Sequence, residues 1–512
     1  MIMCSFIQVN GQEHRIHIDA QLDNTKDIIR INQRIIFYND SDTTLTHIYL
    51  HNWANGYKNN KAPLAKRLIE DYDKSLYFAN QKDRGFTTIK NLTVDYETAA
   101  FSEVEDDKID VIKIVLNTPL SPKKSTTINI AYDVKIPSAK FTRYGKTKTG
   151  YHLRYWYLVP AVFKDDWKVM SNLNMDDLLT NSTNYSIKIK LPKHYFLNSN
   201  LSKLKTQEEN VNEFLLSGKQ RTDVLLHIDT KDDYKSFKTD KIEIKTDLYN
   251  TAIDKKLTND ILYRQLLFIG DFLGEYPHKK LLIDEVSQAK NPIYGLNQLP
   301  NFIRPFPDVF EWDLTMLKAV TKKYIDHTLL LDKRKDYWLT DGLQTYLMMN
   351  YVSQYYPEIK LAGNISKIWG FRNFNFSKLK FNDKYPFVYQ YTARQFLDQA
   401  MNTRSDSLSN FNRKIAGKYK AGLGLRYLAD YIGDTIISSS FKEFYKKNKL
   451  NFVKSESFKE IVSSKTSKDI NWFFDEYLTT DKKIDYTIKK AVVLDDSVYV
   501  TIKNKRNITA PV

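Results

Sequence analysis

The chain has 512 residues, of which 42% are hydrophobic and 27% charged, and its formal net charge is +16. At roughly 100–200 residues per domain, this length predicts about three structural units, and the composition is that of a folded protein and not of a disordered one. The single cysteine, Cys4, excludes an intrachain disulfide and a cluster of thiolate metal ligands. Since no run of about 18 apolar residues exists, no membrane-spanning helix is predicted.

The positive charge is spread along the whole chain. Lysines occur throughout, beside abundant Asn, Ile and Tyr, and no nucleic-acid-binding motif accompanies them. A concentrated basic patch is the usual mark of a nucleic-acid interface. The sequence therefore predicts no nucleic-acid partner.

The first residues are apolar and leave two interpretations open. Met1–Ile7 resembles the tail of a secretory signal without its basic beginning, and it equally resembles a first strand. The first interpretation would place the protein outside the cell or in a periplasm; otherwise the compartment is unknown. Cys4 is predicted to fill an apolar position and not to carry a lipid, because Ile2 and Met3 stand where small residues would be expected.

Hydrophobic periodicity divides the rest of the chain. Residues 13–246 alternate apolar and polar side chains, as in Arg15–Ile18 and Thr127–Ile130. This pattern predicts an N-terminal antiparallel β domain, because each strand then has one buried and one wet face.

Residues 250–480 change to a helical period, clearest in Leu314–Leu331 and Trp338–Tyr355. Alternation returns in residues 484–512, and so short a tail predicts the beginning of a β domain that continues in the full protein. The predicted fold class is α+β and multidomain, with a mostly helical domain in the middle.

The segment Trp338–Leu343 reads Trp-Leu-Thr-Asp-Gly-Leu. It resembles the Trp-Leu-Asn-Glu-Gly-Phe segment of the alanyl-aminopeptidase family of gluzincin metallopeptidases, whose Glu is the third zinc ligand. In that family the segment follows a helical His-Glu-x-x-His, in which two histidines share one helix face and bind one zinc ion. The resemblance implies a thermolysin-like catalytic-type domain at residues 250–480.

The family's spacing, applied back from Asp341, places its zinc motif on Lys318–Lys322, which reads Lys-Ala-Val-Thr-Lys. Lysines would then replace both histidines, Ala319 would replace the general-base Glu, and Asp341 would replace the third ligand. We therefore predict a degenerate site without zinc or another cofactor. His327, a lone histidine nearby, is predicted to be a packed or surface residue and not a ligand.

Further segments extend the resemblance over nearly the whole chain. They match the family's first domain, the start of its catalytic domain and its helical tail, and they are Tyr49–Asn55, Gly274–Leu281, Tyr431–Asp434 and Trp472–Leu478.

The resemblance also implies substrate-binding and catalytic positions. Tyr294–Leu299 stands where the family holds a substrate's backbone and amine, so Gly295 and Gln298 are the predicted substrate-binding residues. An amide at Gln298 would lose the charge-assisted contact that the family's Glu makes with a free α-amine. Tyr419 is the candidate for the tyrosine that stabilises the transition state, with Tyr389 as the alternative.

Two arrangements of the lysines remain open. Lys318 or Lys322 could pair with Asp341 and preserve the local charge pattern, or both could point into a solvated cleft without a role. The function predicted is an inactive aminopeptidase-like protein, a pseudopeptidase, whose retained cleft binds peptides or a protein. The alternatives are a divergent metallo-aminopeptidase that hydrolyses peptides from the N-terminus and a purely structural module; the oligomeric state is unknown.

Overall fold

The structure is a computed structural model that describes residues 13–104, 108–207, 211–296, 304–370 and 373–512. The chain divides into two units, the first ending at Tyr234 and the second beginning at Lys235. Strands dominate the first unit and helices the second, which confirms the order predicted from the change in periodicity. Met1–Ile7 and Gln298 lie outside the described residues.

The first unit contains one short helix, α1 (Pro63–Glu70), among its described strands. In chain order the strands are β1 (His14–Asp23), β2 (Ile28–Tyr38), β3 (Leu45–His51), β4 (Phe86–Val94), β5 (Glu97–Thr98), β6 (Phe101–Val104), β7 (Lys108–Leu120), β8 (Ser125–Lys135), β9 (Gly145–Lys146), β10 (Gly150–Leu153), β11 (Val159–Pro160), β12 (Val162–Lys164), β13 (Asp166–Lys168), β14 (Thr183–Pro192), β15 (Phe196–Ser199), β16 (Ser202–Gln207), β17 (Val211–Arg221) and β18 (Leu226–Asp229).

Among the described residues the largest sheet has eight strands, in the order β16-β17-β14-β1-β2-β8-β4-β5. Adjacent strands in this sheet pair antiparallel, except β1 and β14, which pair parallel. Smaller sheets follow the orders β15-β18-β10-β9, β11-β3-β7-β6 and β12-β13. In β1, Ile16, Ile18, Ala20 and Leu22 are buried while the residues between them are exposed, so the predicted alternation is confirmed there.

The second unit begins with a small sheet, in which β19 pairs antiparallel with β20 and β20 pairs parallel with β21. Its described elements in chain order are β19 (Lys235–Lys238), β20 (Glu243–Thr246), α2 (Lys255–Leu273), β21 (Lys280–Ile283), α3 (Glu285–Lys290), α4 (Asp308–Asp326), α5 (Tyr337–Tyr355), α6 (Lys384–Arg394), α7 (Gly417–Ile432), α8 (Asp434–Asn448), α9 (Glu456–Ser463), β22 (Tyr486–Leu494) and β23 (Ser497–Asn504).

A buried carboxylate joins three of these helices. Asp313 on α4 is fully buried, and it accepts hydrogen bonds from Gln265 of α2 at 2.6 Å and from the Tyr351 hydroxyl of α5 at 2.9 Å. The Arg264 guanidinium and the Tyr356 hydroxyl also donate to it. Because a buried carboxylate is tolerated only with such donors, this network sets how α2, α4 and α5 pack together.

Glycines allow α5 and α7 to lie close together. A Cβ atom on Gly422 would come within 2.5 Å of the Thr345 side chain, and one on Gly342 within 2.9 Å of the Ala421 Cβ atom. Gly342 belongs to the segment that carries the family resemblance, and its structural role is this close approach of the two helices.

Two expectations differ in detail from the structure. Helix α4 ends at Asp326 and not at Leu331, because His327 caps it and the chain then turns. Residues 484–512, predicted to begin a β domain, contain the antiparallel pair β22 and β23, and the side chains on both faces of this pair are largely exposed. Among the described helices, none has the length and hydrophobicity needed to cross a membrane.

Candidate functional site

Helix α4 carries the positions predicted to replace the zinc motif. Lys318 and Lys322 lie one turn apart on it, so they share a face of the helix. Ala319 packs against the hydrophobic core of the unit. The Lys322 ammonium forms an ion pair with Asp326 of the same helix at 3.0 Å.

Asp341, near the start of α5, pairs with a lysine that the sequence did not single out. The Lys418 ammonium, from α7, lies 3.6 Å from an Asp341 carboxylate oxygen, and it lies 3.1 Å from the Asn291 side-chain oxygen, to which it donates a hydrogen bond. The cation that lies beside Asp341 is Lys418, which the pairing hypothesis did not name. Tertiary packing of α7 on α5 supplies it, and local spacing could not show this.

Lys318 is partly buried and donates a hydrogen bond to the Pro292 carbonyl at 2.8 Å. Burial lowers the pKa of this lysine well below its usual value. The charges of Lys418 and Lys384 lower it further, Asp341 opposes them, and Lys322 adds a smaller effect. Lys318 of α4 is therefore affected by charges on α6 and α7, and it does not simply point into solvent.

Lys384, the first residue of α6, is the other residue missed by the sequence argument. It exposes 7% of its surface, and its ammonium has no hydrogen-bond partner among the described residues. It lies 3.9 Å from the centre of the Phe381 ring and 4.9 Å from that of Tyr385, and burial lowers its pKa to about 7. Nothing in the segment around it marks a lysine as buried. We call Lys318, Lys384, Lys418 and Asp341 the lysine cluster.

The two candidate tyrosines occupy different surroundings. The Tyr419 ring lies 4.8 Å from that of Tyr385, beside the lysine cluster, and burial, with Tyr294 nearby, raises its pKa to about 12. Burial also raises the pKa of Tyr389, but the charge acting on that tyrosine is Asp398, which pairs with Lys420 and Lys483. Tyr419 is therefore the candidate that the fold places beside the cluster, and it stays protonated at neutral pH.

The remaining predicted positions are Gly295, Gln298 and His327. Gly295 is exposed in the loop after α3, with a φ angle of +80° that favours glycine, whereas Gln298 lies outside the described residues. His327 is buried and lies within 3.2 Å of the Tyr276 hydroxyl, which confirms that it is a packed residue. No group of three or more His, Cys, Asp or Glu side chains within the described ranges could hold a metal ion.

The cluster is rich in hydrogen-bond donors and poor in acceptors. The cluster contains three amines and one carboxylate, and an ammonium group has three protons to donate. The Lys418 and Asp341 side chains keep 16% and 18% of their surface exposed, so solvent reaches the cluster. Such an arrangement suits binding of anionic oxygen atoms.

The comparisons with known proteins support the fold and not the chemistry. No protein-family model and no curated protein matches the sequence. The structure is similar to that of an M1 zinc metallopeptidase from Deinococcus radiodurans, with a TM-score of 0.56, 10% identity, and coverage of 93% of this chain and 94% of that chain.

A mutant M1 zinc metallopeptidase of two domains, bound to L-tryptophan, is similar with a TM-score of 0.55, 11% identity and coverage of 93% and 95%. A mutant of the Deinococcus radiodurans protein bound to a Tyr-Ser-Ala substrate is similar with a TM-score of 0.54 and 9% identity, and the match covers 91% of this chain and 93% of that chain. The α+β multidomain architecture of this chain is thus that of the M1 zinc metallopeptidases.

Proposed function

We propose that this is an aminopeptidase-like protein without zinc-dependent hydrolysis, which binds peptides or a partner protein at the lysine cluster. The observation that carries the proposal is the set of partners at the predicted ligand positions. Lys318 bonds a backbone carbonyl, Lys322 pairs with Asp326, and Asp341 pairs with Lys418.

These residues do not fit a zinc ion. Zinc takes thiolate, imidazole or carboxylate ligands, usually three from the protein in a catalytic site. The cluster offers Asp341 as its single carboxylate, and the amines beside it repel a dication when they are protonated. The position of the general base is held by Ala319, which cannot take up a proton. We therefore derive no hydrolytic step at this site.

Peptide binding is the part of the family's function that needs no metal. One solved structure of similar fold holds a Tyr-Ser-Ala substrate. In this chain Tyr419 can donate a hydrogen bond beside the cluster, and Gly295 lies exposed on the neighbouring loop.

The first experiment measures zinc and turnover together. The purified protein is exposed to zinc, freed of the excess and subjected to elemental analysis, and hydrolysis of an aminoacyl reporter is followed in parallel. We expect neither bound zinc nor turnover. Near-stoichiometric zinc with turnover would instead establish the alternative, a divergent metallo-aminopeptidase, and a folded protein that binds no peptide would be a structural module.

A restored site is the matched control. The variant that combines Lys318→His, Ala319→Glu, Lys322→His and Asp341→Glu rebuilds the family's ligand set at the aligned positions. We expect it to bind zinc where the parent protein does not. A folded variant without zinc would show that these residues do not occupy the ligand positions.

A further inference from the structure

The buried ammonium of Lys384 calls for a partner that the described residues do not supply. Most buried polar groups in native proteins have a hydrogen-bond partner, and an unpaired buried charge is costly. Contacts with the Phe381 and Tyr385 rings offset part of that cost through cation–π attraction, but aromatic rings accept none of the three protons as a carboxylate would.

The neighbours of Lys384 share this excess of donors. Lys318 makes one hydrogen bond, to Pro292, and Lys418 is held by Asn291 and by Asp341. The Asn291 side-chain nitrogen is also buried, and it has no hydrogen-bond partner in the part of the chain that the structure describes. Donors from α4, α6, α7 and the loop after α3 therefore lie in one region, and among the described residues the carboxylate that pairs with one of them is Asp341.

We propose that the lysine cluster binds a carboxylate of a peptide ligand, so that the protein prefers acidic peptides. This inference rests on the proposed peptide-binding function. Ammonium groups bind carboxylates through charge-assisted hydrogen bonds, which are about twice as strong as neutral ones. A carboxylate bound here would give Lys384 its missing acceptor and balance the charges of Lys318 and Lys418.

The burial of Lys384 makes its contribution separable from that of surface charge. Because burial lowers the pKa of this amine to about 7, an anion beside it stabilises its protonated form, whereas an exposed lysine gains little from the same anion. Loss of the Lys384 amine should thus reduce the preference for acidic peptides about tenfold, the size expected for one hydrogen bond to a charged group.

Calorimetric titration with matched peptides tests the inference. The ligands are tetra-alanine peptides amidated at the C-terminus, with one Glu at the first, second or third position, and the same peptides with Gln. We expect the protein to bind at least one Glu peptide about tenfold more tightly than its Gln counterpart. Lys384→Met should abolish the preference, whereas Lys442→Met, which removes an exposed lysine from α8, should keep it.

The outcomes separate this inference from the proposed function. Equal binding of Glu and Gln peptides would overturn the acidic preference and leave peptide binding in place. Binding of inorganic phosphate that depends on Lys384, without binding of any peptide, would keep an oxyanion site but overturn its peptide ligand and the proposed function. Binding of none of these ligands would overturn both.

A measurement on the unaltered protein covers the case in which Lys384→Met does not fold. Acetylation of individual lysines by a small reagent is followed by mass spectrometry with and without the preferred Glu peptide in excess. We expect the peptide to protect Lys384 several-fold and to leave Lys442 unchanged. Equal acetylation of Lys384 in both samples would overturn the proposal.

Discussion

Replacing Lys384 with methionine should stabilise the protein, and the gain should shrink as the pH rises. Burial lowers the pKa of Lys384 from 10.5 to about 7 in the folded state, whereas the unfolded chain keeps the ordinary value. Between these two pH values the unfolded chain therefore binds one more proton than the folded protein. The free energy of unfolding of the parent protein therefore rises with pH across this window, by about 1.4 kcal/mol per pH unit.

The magnitude can be worked out for two convenient conditions. At about pH 7 the folded amine is half protonated, and by about pH 9 it is neutral while the unfolded amine is still charged. The destabilisation due to Lys384 should fall by about 2 kcal/mol between them. The Lys384→Met variant has no such amine. The excess of its free energy of unfolding over that of the parent protein should therefore shrink by about 2 kcal/mol between pH 7 and pH 9.

Urea unfolding of both proteins at the two pH values gives this difference. Titrating groups that Lys384 does not influence cancel because they are common to both proteins, whereas Lys318, whose pKa the Lys384 charge lowers, contributes to the difference with Lys384. The exposed control, Lys442→Met, should show a difference from the parent that does not change with pH. A constant advantage of Lys384→Met would refute the reasoning, since it would mean that the amine keeps its ordinary pKa in the folded protein.

Three further changes test the packing that builds the site, all by urea unfolding at neutral pH. Asp313→Asn should lower the free energy of unfolding by about 3–5 kcal/mol because it removes a buried charge from its donors. Tyr356→Phe removes one of those donors and should lower it by only about 1 kcal/mol. Equal losses of stability in the two variants would contradict this reasoning. Gly422→Ala should lower the free energy of unfolding by about 1–3 kcal/mol because the added Cβ atom forces α7 away from α5. Gly270→Ala in α2 is the control and should be neutral or stabilising, since a Cβ atom there would meet nothing within 4 Å. An unchanged stability of Gly422→Ala would show that the helices are not in close contact. Asp341→Asn should cost about 1–2 kcal/mol, because the pair with Lys418 is largely buried, and no loss would mean that the pair contributes nothing.

The family resemblance and the structure agree on architecture and leave the chemistry to experiment. The fold is that of the M1 zinc metallopeptidases at about one-tenth sequence identity. The family's spacing relative to the segment Trp338–Leu343 predicts Lys318, Lys322 and Asp341 as the ligand positions. In the structure their side chains contact the Pro292 carbonyl, Asp326 and Lys418, respectively. Zinc analysis and the restored variant test whether these positions are a former metal site.

The sequence by itself determined the order and type of the elements. Alternation in segments such as Arg15–Ile18 and helical spacing in Trp338–Tyr355 predicted strands and a helix, because one buried face imposes its period on the residues that form it. The position of Gly342 beside Asp341 was also readable in the sequence, although its reason, the approach of α7, was not.

Only the tertiary structure decided which charges meet. Lys384 and Lys418 lie on α6 and α7, far along the chain from Lys318 and Asp341 on α4 and α5, so no spacing within one helix relates them. Burial of an ammonium, and hence its lowered pKa, arises from side chains contributed by several elements at once. The periodicity of a segment reports which face is buried, but the neighbours of a buried charge are set by how the helices pack.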